Sequence, residues 1–149
     1  MEIEFRTVSH SSKAWEEAVK LREEILREPL GEKFTAKELE EEKNHYQVIG
    51  QVKNKLVATA VLVPEEVSMK MQRVVVLDKQ RNLGIGSRMM VFCETLAMKK
   101  GYTTIYCHAR DSAVNFYLRN GYLGFGDYFN EDGIPHLEMS KTLDNGHTK

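Results

Sequence analysis

The sequence predicts an α/β protein with a mixed, mostly antiparallel sheet and helices on both of its faces. Two observations lead to this fold class. The first half of the chain holds closely spaced apolar runs typical of strands, and the second half alternates strands and helices in the order β-α-β-α-β-β. Strands that alternate with helices place those helices against a sheet. With 149 residues, the chain is expected to form one domain over residues 1–143, followed by a polar tail over residues 144–149.

The first half is predicted to contain four strands and two helices. A helix over residues 13–27 would bury one apolar stripe and end before Pro29 and Gly31. A hairpin is expected across the turn Lys53-Asn54-Lys55. The predicted strands cover residues 3–8, 46–52, 56–63 and 67–77, a second, charge-rich helix covers residues 35–43, and the apolar stripe consists of Trp15, Ala18, Val19, Ile25 and Leu26.

The second half is predicted to begin with a long amphipathic helix over residues 84–100. Two lysines and Gly101 follow its apolar stripe, and both features suit a helix C-terminus. Residues 103–107 form a strand, and Asp111 or Ser112 caps a short helix that runs to Arg119. Strands over residues 122–129 and 136–142 then form a final hairpin.

The composition argues against several kinds of partner and site. A formal net charge of −1 gives no general attraction to nucleic acid or to an anionic membrane. Cys93 and Cys107 lie in apolar segments and are expected to be reduced and buried, and the Cys/His spacing of a metal site is missing. The N-terminus lacks the apolar core of a signal peptide, and the longest apolar run, residues 56–63, is too short to span a bilayer. We therefore expect a soluble, cytoplasmic protein without a metal ion.

A glycine-containing segment joins the strand over residues 67–77 to the helix that follows it. Gly84 and Gly86 let the backbone approach a ligand closely, and the helix start supplies unpaired N–H groups for a phosphate. A Walker loop would need a lysine that is absent, and a dinucleotide fingerprint would need a glycine where Met89 stands. The remaining pattern, Gln80-Arg81-x-x-Gly84-x-Gly86, resembles the acyl-CoA loop of the GNAT superfamily of N-acyltransferases.

Two further segments carry the same resemblance. The run from Ala113 to Tyr122, with Asn115 and Tyr117 before a Gly-aromatic turn, is similar to the second signature of that superfamily. The segment Glu131-Asp132-Gly133-Ile134-Pro135-His136 is similar to one in its ElaA-like subset. The likeness extends from about residue 69 to residue 139. It implies the fold of the superfamily, in which two central strands splay apart, here after Leu77 and Cys107, and acyl-CoA inserts between them.

The resemblance also implies roles for particular residues, with acetyl-CoA as the co-substrate. Tyr117 would protonate the departing thiolate, because a phenol keeps its proton at neutral pH. Backbone N–H groups of the strand end would bind the pantetheine arm and the acyl carbonyl, and those of the helix start would bind the pyrophosphate. The residues expected to bind the co-substrate are Val75, Val76, Leu77, Arg81, Asn82, Leu83, Gly84, Ile85, Gly86, Ser87 and Asn115.

Two arginines stand on apolar patterns and need an explanation. Arg22 lies in the middle of the apolar stripe of the first helix, and Arg73 shares the strand parity of apolar neighbours. A guanidinium in such a place must be paired or line a wet cavity. Either each makes a structural ion pair with a glutamate, or both line the acceptor pocket and bind an anionic group of the substrate. His136 is a further candidate for substrate binding.

The general base that deprotonates the acceptor amine is not identified. His136 and His108 are candidates because imidazole titrates near neutrality, each could equally be structural, and a chain of water molecules could also remove the proton. The function expected is an N-acetyltransferase that transfers an acetyl group from acetyl-CoA to a primary amine by direct attack. The alternative is a non-catalytic acyl-CoA-binding or sensing module. The acceptor would be a small molecule or a peptide, nucleic acid and membrane are not expected as partners, and a homodimer is left open.

Overall fold

The computed structural model describes residues 2–77 and 84–143. These residues divide into two compact units, the first formed by residues up to Val63 together with Gln72–Phe92, the second by Pro64–Met71 together with the residues from Cys93 onward. The elements are β1 (Glu4–Val8), α1 (Lys13–Arg22), α2 (Ala36–Glu41), β2 (Tyr46–Val52), β3 (Lys55–Pro64), β4 (Ser68–Val76), α3 (Ile85–Lys99), β5 (Thr104–Arg110), α4 (Val114–Arg119), β6 (Leu123–Glu131) and β7 (Ile134–Thr142).

The strands of both units confirm the predicted fold class, a mixed and mostly antiparallel sheet combined with helices. Seven strands are found among the described residues; their order is β1-β2-β3-β4 in the first unit and β4-β5-β7-β6 in the second, with β4 contributing to both. The parallel pairing of β4 with β5 joins Ser68–Met71 to Thr104–Cys107. The other pairings that can be described, β1 with β2, β2 with β3, β5 with β7 and β6 with β7, are antiparallel.

The hairpin between β2 and β3 confirms the turn expected at Lys53-Asn54. Both residues have positive φ angles, 51° and 65°, and β2 ends at Val52 while β3 begins at Lys55. Two such residues in succession give the type I′ turn, whose twist matches that of the strands it joins. The strand that follows, β4, carries a second irregularity, because Arg73 has a φ of 54°.

The first helix departs from the prediction in its last turn. Ser12 caps α1 by accepting a hydrogen bond from the N–H of Trp15, but the α-helix ends at Arg22 and a π-helical turn follows over Glu23–Arg27. A π turn holds one residue more than an α turn and shifts the side chains that come after it. Ile25, which was expected on the buried stripe, is 45% exposed, so that assignment was wrong.

The end of the second unit is a longer hairpin than predicted. β6 and β7 are joined at Asp132-Gly133, whose φ angles are 57° and 77°. An Asp-Gly pair is the usual sequence of a type I′ turn, so the wide loop expected between residues 129 and 136 was wrong. The edge strand β6 exposes large apolar side chains, including Leu123 and Phe125.

The segment before α4 also corrects an expectation. Asp111–Ala113 forms a 3₁₀ turn, and the residue that precedes α4 is Ala113. Neither Asp111 nor Ser112 caps the helix with its side chain, since no side-chain cap is formed there. The 3₁₀ turn leads directly into the helix, so the helix begins without a capping side chain. Within the described residues, no helix has the length and apolar character needed to cross a membrane.

Candidate functional site

The start of α3 has the geometry expected of an anion-binding helix end. Gly84 has a φ of 71°, a conformation that glycine adopts without strain. The first bond of the helix runs from the Arg88 N–H to the Gly84 carbonyl at 3.0 Å. The N–H groups of Ile85, Gly86 and Ser87 therefore have no acceptor within the helix, and they lie at the positive end of a 15-residue helix.

The predicted co-substrate residues that precede Gly84 cannot be placed. Arg81, Asn82 and Leu83 lie outside the described residues. Gly86 and Ile85 are buried, and Ser87 is half-buried. The first turn of α3 thus offers backbone groups rather than long side chains, which suits a ligand that approaches the backbone closely.

The end of β4 limits which backbone groups could pair with a pantetheine arm. The Leu77 N–H donates to the Val57 carbonyl of β3 at 3.0 Å, so it is already used within the sheet. Neighbouring N–H groups along a strand point to opposite edges. Val75 should therefore share the β3 side with Leu77, whereas the N–H of Val76 should face the other edge. Of the three residues predicted for this contact, Val76 is the one whose amide is expected to face away from β3.

Tyr117 lies on the inward face of α4, as expected from the sequence, and is 5% exposed. Burial above all, with the neighbouring Cys107 second, raises the pKa of Tyr117 well above its usual value. The ring packs edge-on against Phe116 and Tyr122. Asn115, on the same helix, is exposed. The phenol therefore stays protonated at neutral pH and can act as a proton donor.

The two cysteines are free and buried. Burial is the main cause that raises the pKa of each thiol, Cys93 and Cys107, to about 12. Since the thiolate is the nucleophilic form, neither side chain is suited to attack an acyl group at neutral pH. No group of three or more His, Cys, Asp or Glu residues is arranged to hold a metal ion in the part of the chain that the structure describes.

Arg22 is completely buried and belongs to a polar cluster inside the first unit. One guanidinium nitrogen donates to the Glu42 carboxylate at 2.9 Å and the other to the Thr59 hydroxyl at 3.1 Å. The Trp15 indole N–H donates to the same carboxylate oxygen of Glu42 at 3.1 Å. Burial lowers the pKa of Arg22 to about 10, with Glu42 opposing that shift, so the guanidinium stays charged at neutral pH.

Arg73 completes the cluster from β4. Its guanidinium hydrogen-bonds the second carboxylate oxygen of Glu42, and a guanidinium nitrogen lies 3.7 Å from a carboxylate oxygen of Glu38. The guanidinium also lies 4.7 Å from the centre of the Phe34 ring. We call Arg22, Glu42 and Arg73 the buried arginine cluster. Glu42, 0% exposed, is the residue that sequence reasoning missed, because it stands in a run of glutamates that looks like a solvated helix. These contacts match the first of the two explanations offered for the arginines on apolar patterns, a structural ion pair with a glutamate.

Arg27 and Glu38 form a neighbouring pair that is closer to solvent. The two guanidinium nitrogens of Arg27 donate to the two carboxylate oxygens of Glu38 at 3.2 and 2.7 Å. Hydrogen bonding from Arg27 is the main cause that lowers the pKa of Glu38 to about 2. Glu38 also closes a capping box at the start of α2, accepting from the N–H of Thr35.

The two candidate histidines differ in exposure. Both belong to a second cluster of charged side chains, which lies on the sheet of the second unit. His136 is 5% exposed, and its Nδ1 lies 2.8 Å from the Ile134 carbonyl. The His108 side chain is 25% exposed, with Nδ1 3.1 Å from Glu131 and Nε2 3.8 Å from Glu138. Glu131 links the two, since its other oxygen is 3.8 Å from Nε2 of His136. We call His108, Glu131, His136 and Glu138 the histidine cluster.

Comparisons with known proteins agree with this fold and these motifs. A family model described as an acetyltransferase (GNAT) domain matches residues 12–143. An uncharacterized N-acetyltransferase of Bacillus subtilis (strain 168), YjcF, is 36% identical over 73 residues, which are 48% of this chain and 52% of that protein. The chain thus spans about half the length of the curated relatives it matches.

Two solved structures share the fold over nearly the whole chain. Escherichia coli ElaA superimposes with a TM-score of 0.78 at 21% identity, covering 94% of this chain and 99% of that one. An aminoglycoside 6′-N-acetyltransferase complexed with coenzyme A gives a TM-score of 0.80 at 18% identity, with 95% and 97% covered. The family model spans most of the sequence and both of its motifs, and the chain belongs to the GNAT acetyltransferase family.

Proposed function

We propose that this protein is an acetyl-CoA-dependent N-acetyltransferase that transfers the acetyl group directly to a primary amine. Membership of the GNAT family supports acyl transfer. The single observation that carries the mechanism is Tyr117, a buried phenol on α4 whose raised pKa keeps its proton in place at neutral pH.

Each of the two units supplies groups suited to acetyl-CoA. The N–H groups of Ile85, Gly86 and Ser87, which have no acceptor within the helix, would receive the pyrophosphate, because a helix N-terminus combines free donors with a positive potential. The Val76 N–H would pair with the pantetheine arm, much as an added strand pairs with a sheet edge. Asn115, exposed on α4, is available for a contact with the co-substrate. Arg81, Asn82 and Leu83 are kept in this proposal on the sequence motif alone.

Direct attack is favoured over an acyl-enzyme. A covalent route through cysteine needs a thiolate, and the raised pKa values of Cys93 and Cys107 leave both sulfurs protonated at neutral pH. The amine nitrogen would then form the new bond to the acetyl carbon while the carbon–sulfur bond breaks. Tyr117 would give its proton to the leaving sulfur as negative charge develops there.

The contacts of the two arginines bear on the nature of the acceptor. Arg22 and Arg73 share the Glu42 carboxylate, which favours a structural role over the binding of an anionic substrate group. We therefore propose that the acceptor needs no anionic group for recognition.

A two-step experiment tests the function. Acetyl-CoA at a hundred times its dissociation constant should stabilise the fold by roughly 2.7 kcal/mol, seen as a rise in melting temperature that ATP and NAD do not produce. Tyr117→Phe should keep that rise and lower turnover, followed as thiol release, about 10²–10⁴-fold. The Phe ring preserves the packing against Phe116 and Tyr122 while removing the donor.

Tyr122→Phe is the matched control. Tyr122 is equally buried, but its hydroxyl donates to Glu94 at 2.9 Å, so its loss should lower stability by about 1–3 kcal/mol without a comparable loss of turnover. Equal turnover of Tyr117→Phe and wild type would remove Tyr117 from the mechanism. Stabilisation by acetyl-CoA without thiol release from any amine would favour the non-catalytic binding module.

A further inference from the structure

The two ring nitrogens of His108 have different surroundings. Nδ1 is 3.1 Å from Glu131, within hydrogen-bond distance, and a carboxylate can only accept, so the Nδ1 proton points to Glu131. Neutral imidazole then has a lone pair on Nε2. That nitrogen is 3.8 Å from an oxygen of Glu138, too far for a hydrogen bond. Two acceptors thus face each other with no donor between them.

Such a gap suits an ammonium group. An ammonium has three N–H donors and could bond the Nε2 lone pair and the Glu138 oxygen at the same time. The Glu138 side chain is 41% exposed and that of Glu131 is 43% exposed, so a ligand can reach both. Carboxylates opposite a positive charge lower the energy of the bound ion.

His136 is the less suitable of the two histidines for proton transfer to a substrate. Its Nδ1 is held by the Ile134 carbonyl, and only 5% of the residue is exposed. Its ring stacks on Phe129 with the centroids 6.0 Å apart. His136 therefore packs against Phe129 and lies near Glu131. His108 is the more exposed of the two, and its Nε2 is available to a ligand.

The surface beside His108 also carries groups that attract cations. The Tyr106 hydroxyl donates to the exposed carboxylate of Glu65 at 2.9 Å, and the Tyr106 and His108 rings are 6.1 Å apart. Aromatic faces and carboxylates together favour cations. Other charged groups on these strands include Lys70 on β4, paired with Tyr106 in the sheet register, Arg110 on β5, paired with His136, Asp127 on β6 and Lys141 on β7.

We propose that His108 is the general base of the acetyl transfer and that it acts on a diamine, an acceptor with a second positive charge beyond the reacting ammonium. This inference rests on the proposed function and names the acceptor class for it. The reacting ammonium lies between Nε2 of His108 and Glu138, and the second cation lies against Tyr106 and Glu65. Glu131 orients the imidazole and stabilises it when it is protonated.

The protons and electron pairs balance in this scheme. The ammonium gives one proton to Nε2 of His108, which passes it to solvent. The freed amine lone pair forms the bond to the acetyl carbon, and the carbon–sulfur bond breaks with its electrons on sulfur. Sulfur takes the proton of Tyr117, and the second proton lost by nitrogen restores Tyr117. The products are the amide, the thiol and one released proton.

The position of His108 on β5 keeps base and acid apart. Successive side chains on a strand point to opposite faces. Cys107, which lies close enough to Tyr117 to influence its pKa, and His108 therefore face opposite sides of β5. In this scheme the base acts from one face of β5 and the acid from the other.

Three acceptors that differ only at the far end test the proposal: 1,5-diaminopentane, pentylamine and 5-aminopentanoate. With wild type and saturating acetyl-CoA, kcat/KM should be highest for the diamine and lowest for the aminopentanoate. Glu138→Gln should raise KM for the diamine and flatten this order, while the melting shift caused by acetyl-CoA stays unchanged. Asp127→Asn, an exposed carboxylate on β6, is the matched control and should change neither.

His108→Asn should lower kcat/KM for the diamine about 10²–10⁴-fold at neutral pH. The loss should shrink as pH rises toward the pKa of the amine, because free amine needs no base. Glu131→Gln, which keeps an acceptor for Nδ1, should give a smaller loss. A merely structural histidine would produce a loss that does not depend on pH.

The outcomes separate this inference from the function on which it rests. No stabilisation by acetyl-CoA would remove the proposed function itself. Stabilisation by acetyl-CoA with aminopentanoate as the best acceptor, with none of the three amines acetylated, or with His108→Asn as active as wild type at neutral pH, would overturn the inference and leave acetyl-CoA binding intact.

Discussion

The buried arginine cluster and the histidine cluster both gather several charged side chains, yet they are built in opposite ways. In the arginine cluster, Glu42 is 0% exposed and both of its oxygens accept hydrogen bonds from guanidinium groups. In the histidine cluster, Glu131 and Glu138 are more than 40% exposed, and two of the three charged contacts are 3.8 Å long.

The difference follows from the cost of removing a charge from water. A buried carboxylate or guanidinium that lacks a counter-charge costs several kcal/mol, so the charges must be compensated there. A half-exposed charge keeps part of its hydration and tolerates an incomplete set of partners. In the first cluster both carboxylate oxygens of Glu42 are bonded to arginines, and among the described residues only Nε of Arg22 finds no hydrogen-bond partner within the cluster. In the second cluster the carboxylates are half-exposed and could still bind a ligand.

The strongest way to break this comparison is Glu42→Gln. The amide keeps the shape of the side chain but leaves Arg22 without a counter-charge and Arg73 with Glu38 alone, 3.7 Å away, so the free energy of unfolding should fall by roughly 3–5 kcal/mol. Denaturant unfolding measures it. Glu41→Gln, an exposed neighbour, should leave the midpoint unchanged. If Glu42→Gln cost no more than Glu131→Gln, the contrast between the clusters would fail.

Arg22→Met should have a smaller effect, because Glu42 keeps Arg73 and the Trp15 indole as partners. We expect a loss of about 1.5–3 kcal/mol, the range for hydrogen bonds to charged groups. Acceptor kinetics measured beside the unfolding curves sharpen the comparison: KM for the amine should not change. A raised KM with little loss of stability would instead make Arg22 part of the acceptor pocket.

The smallest expected effect concerns Arg27 and Glu38, whose side chains are 19% and 28% exposed and so lie between the two clusters. The pKa of Glu38 is lowered from 4.5 to about 2 in the folded protein. The pair therefore stabilises the fold above pH 4.5, and this contribution is lost as pH falls toward 2.

Glu38→Gln isolates that contribution, because glutamine at this position still completes the capping box with Thr35. Wild type should lose its stability advantage over the variant between pH 4.5 and 2. Unfolding midpoints measured across this range check it. A constant difference between the two proteins would mean that the charge of Glu38 does not stabilise the fold.

Patterns within one element were readable from the sequence. The apolar runs of β2 and β3 and the apolar stripe of α3 predicted those elements within a residue or two, because such patterns report local structure. The inward position of Tyr117 followed from the same reasoning. Asp132-Gly133 also carried a local signal for a tight turn, which was present in the sequence and overlooked.

Features that depend on distant partners could not be read in this way. Arg22 signalled that a buried counter-charge was needed, but Glu42 looks like the other glutamates of its segment and was identified only by its contacts. The same holds for Glu131, whose link to both histidines depends on the pairing of β5, β6 and β7. The exposure of Ile25 arose from a π turn, which the helical pattern of residues 13–27 does not reveal.

That π turn over Glu23–Arg27 has a consequence for comparing this chain with its relatives. A π turn is what remains when one residue is inserted into an α-helix and the flanking turns keep their register. Deleting one residue from this turn should therefore restore regular winding without moving the Arg22 side of the helix. In an alignment with a relative that lacks the π turn, such a deletion would appear as a one-residue gap inside a helix. The gap would not mean that the helix ends there, because both proteins would keep the helix and differ only in its winding.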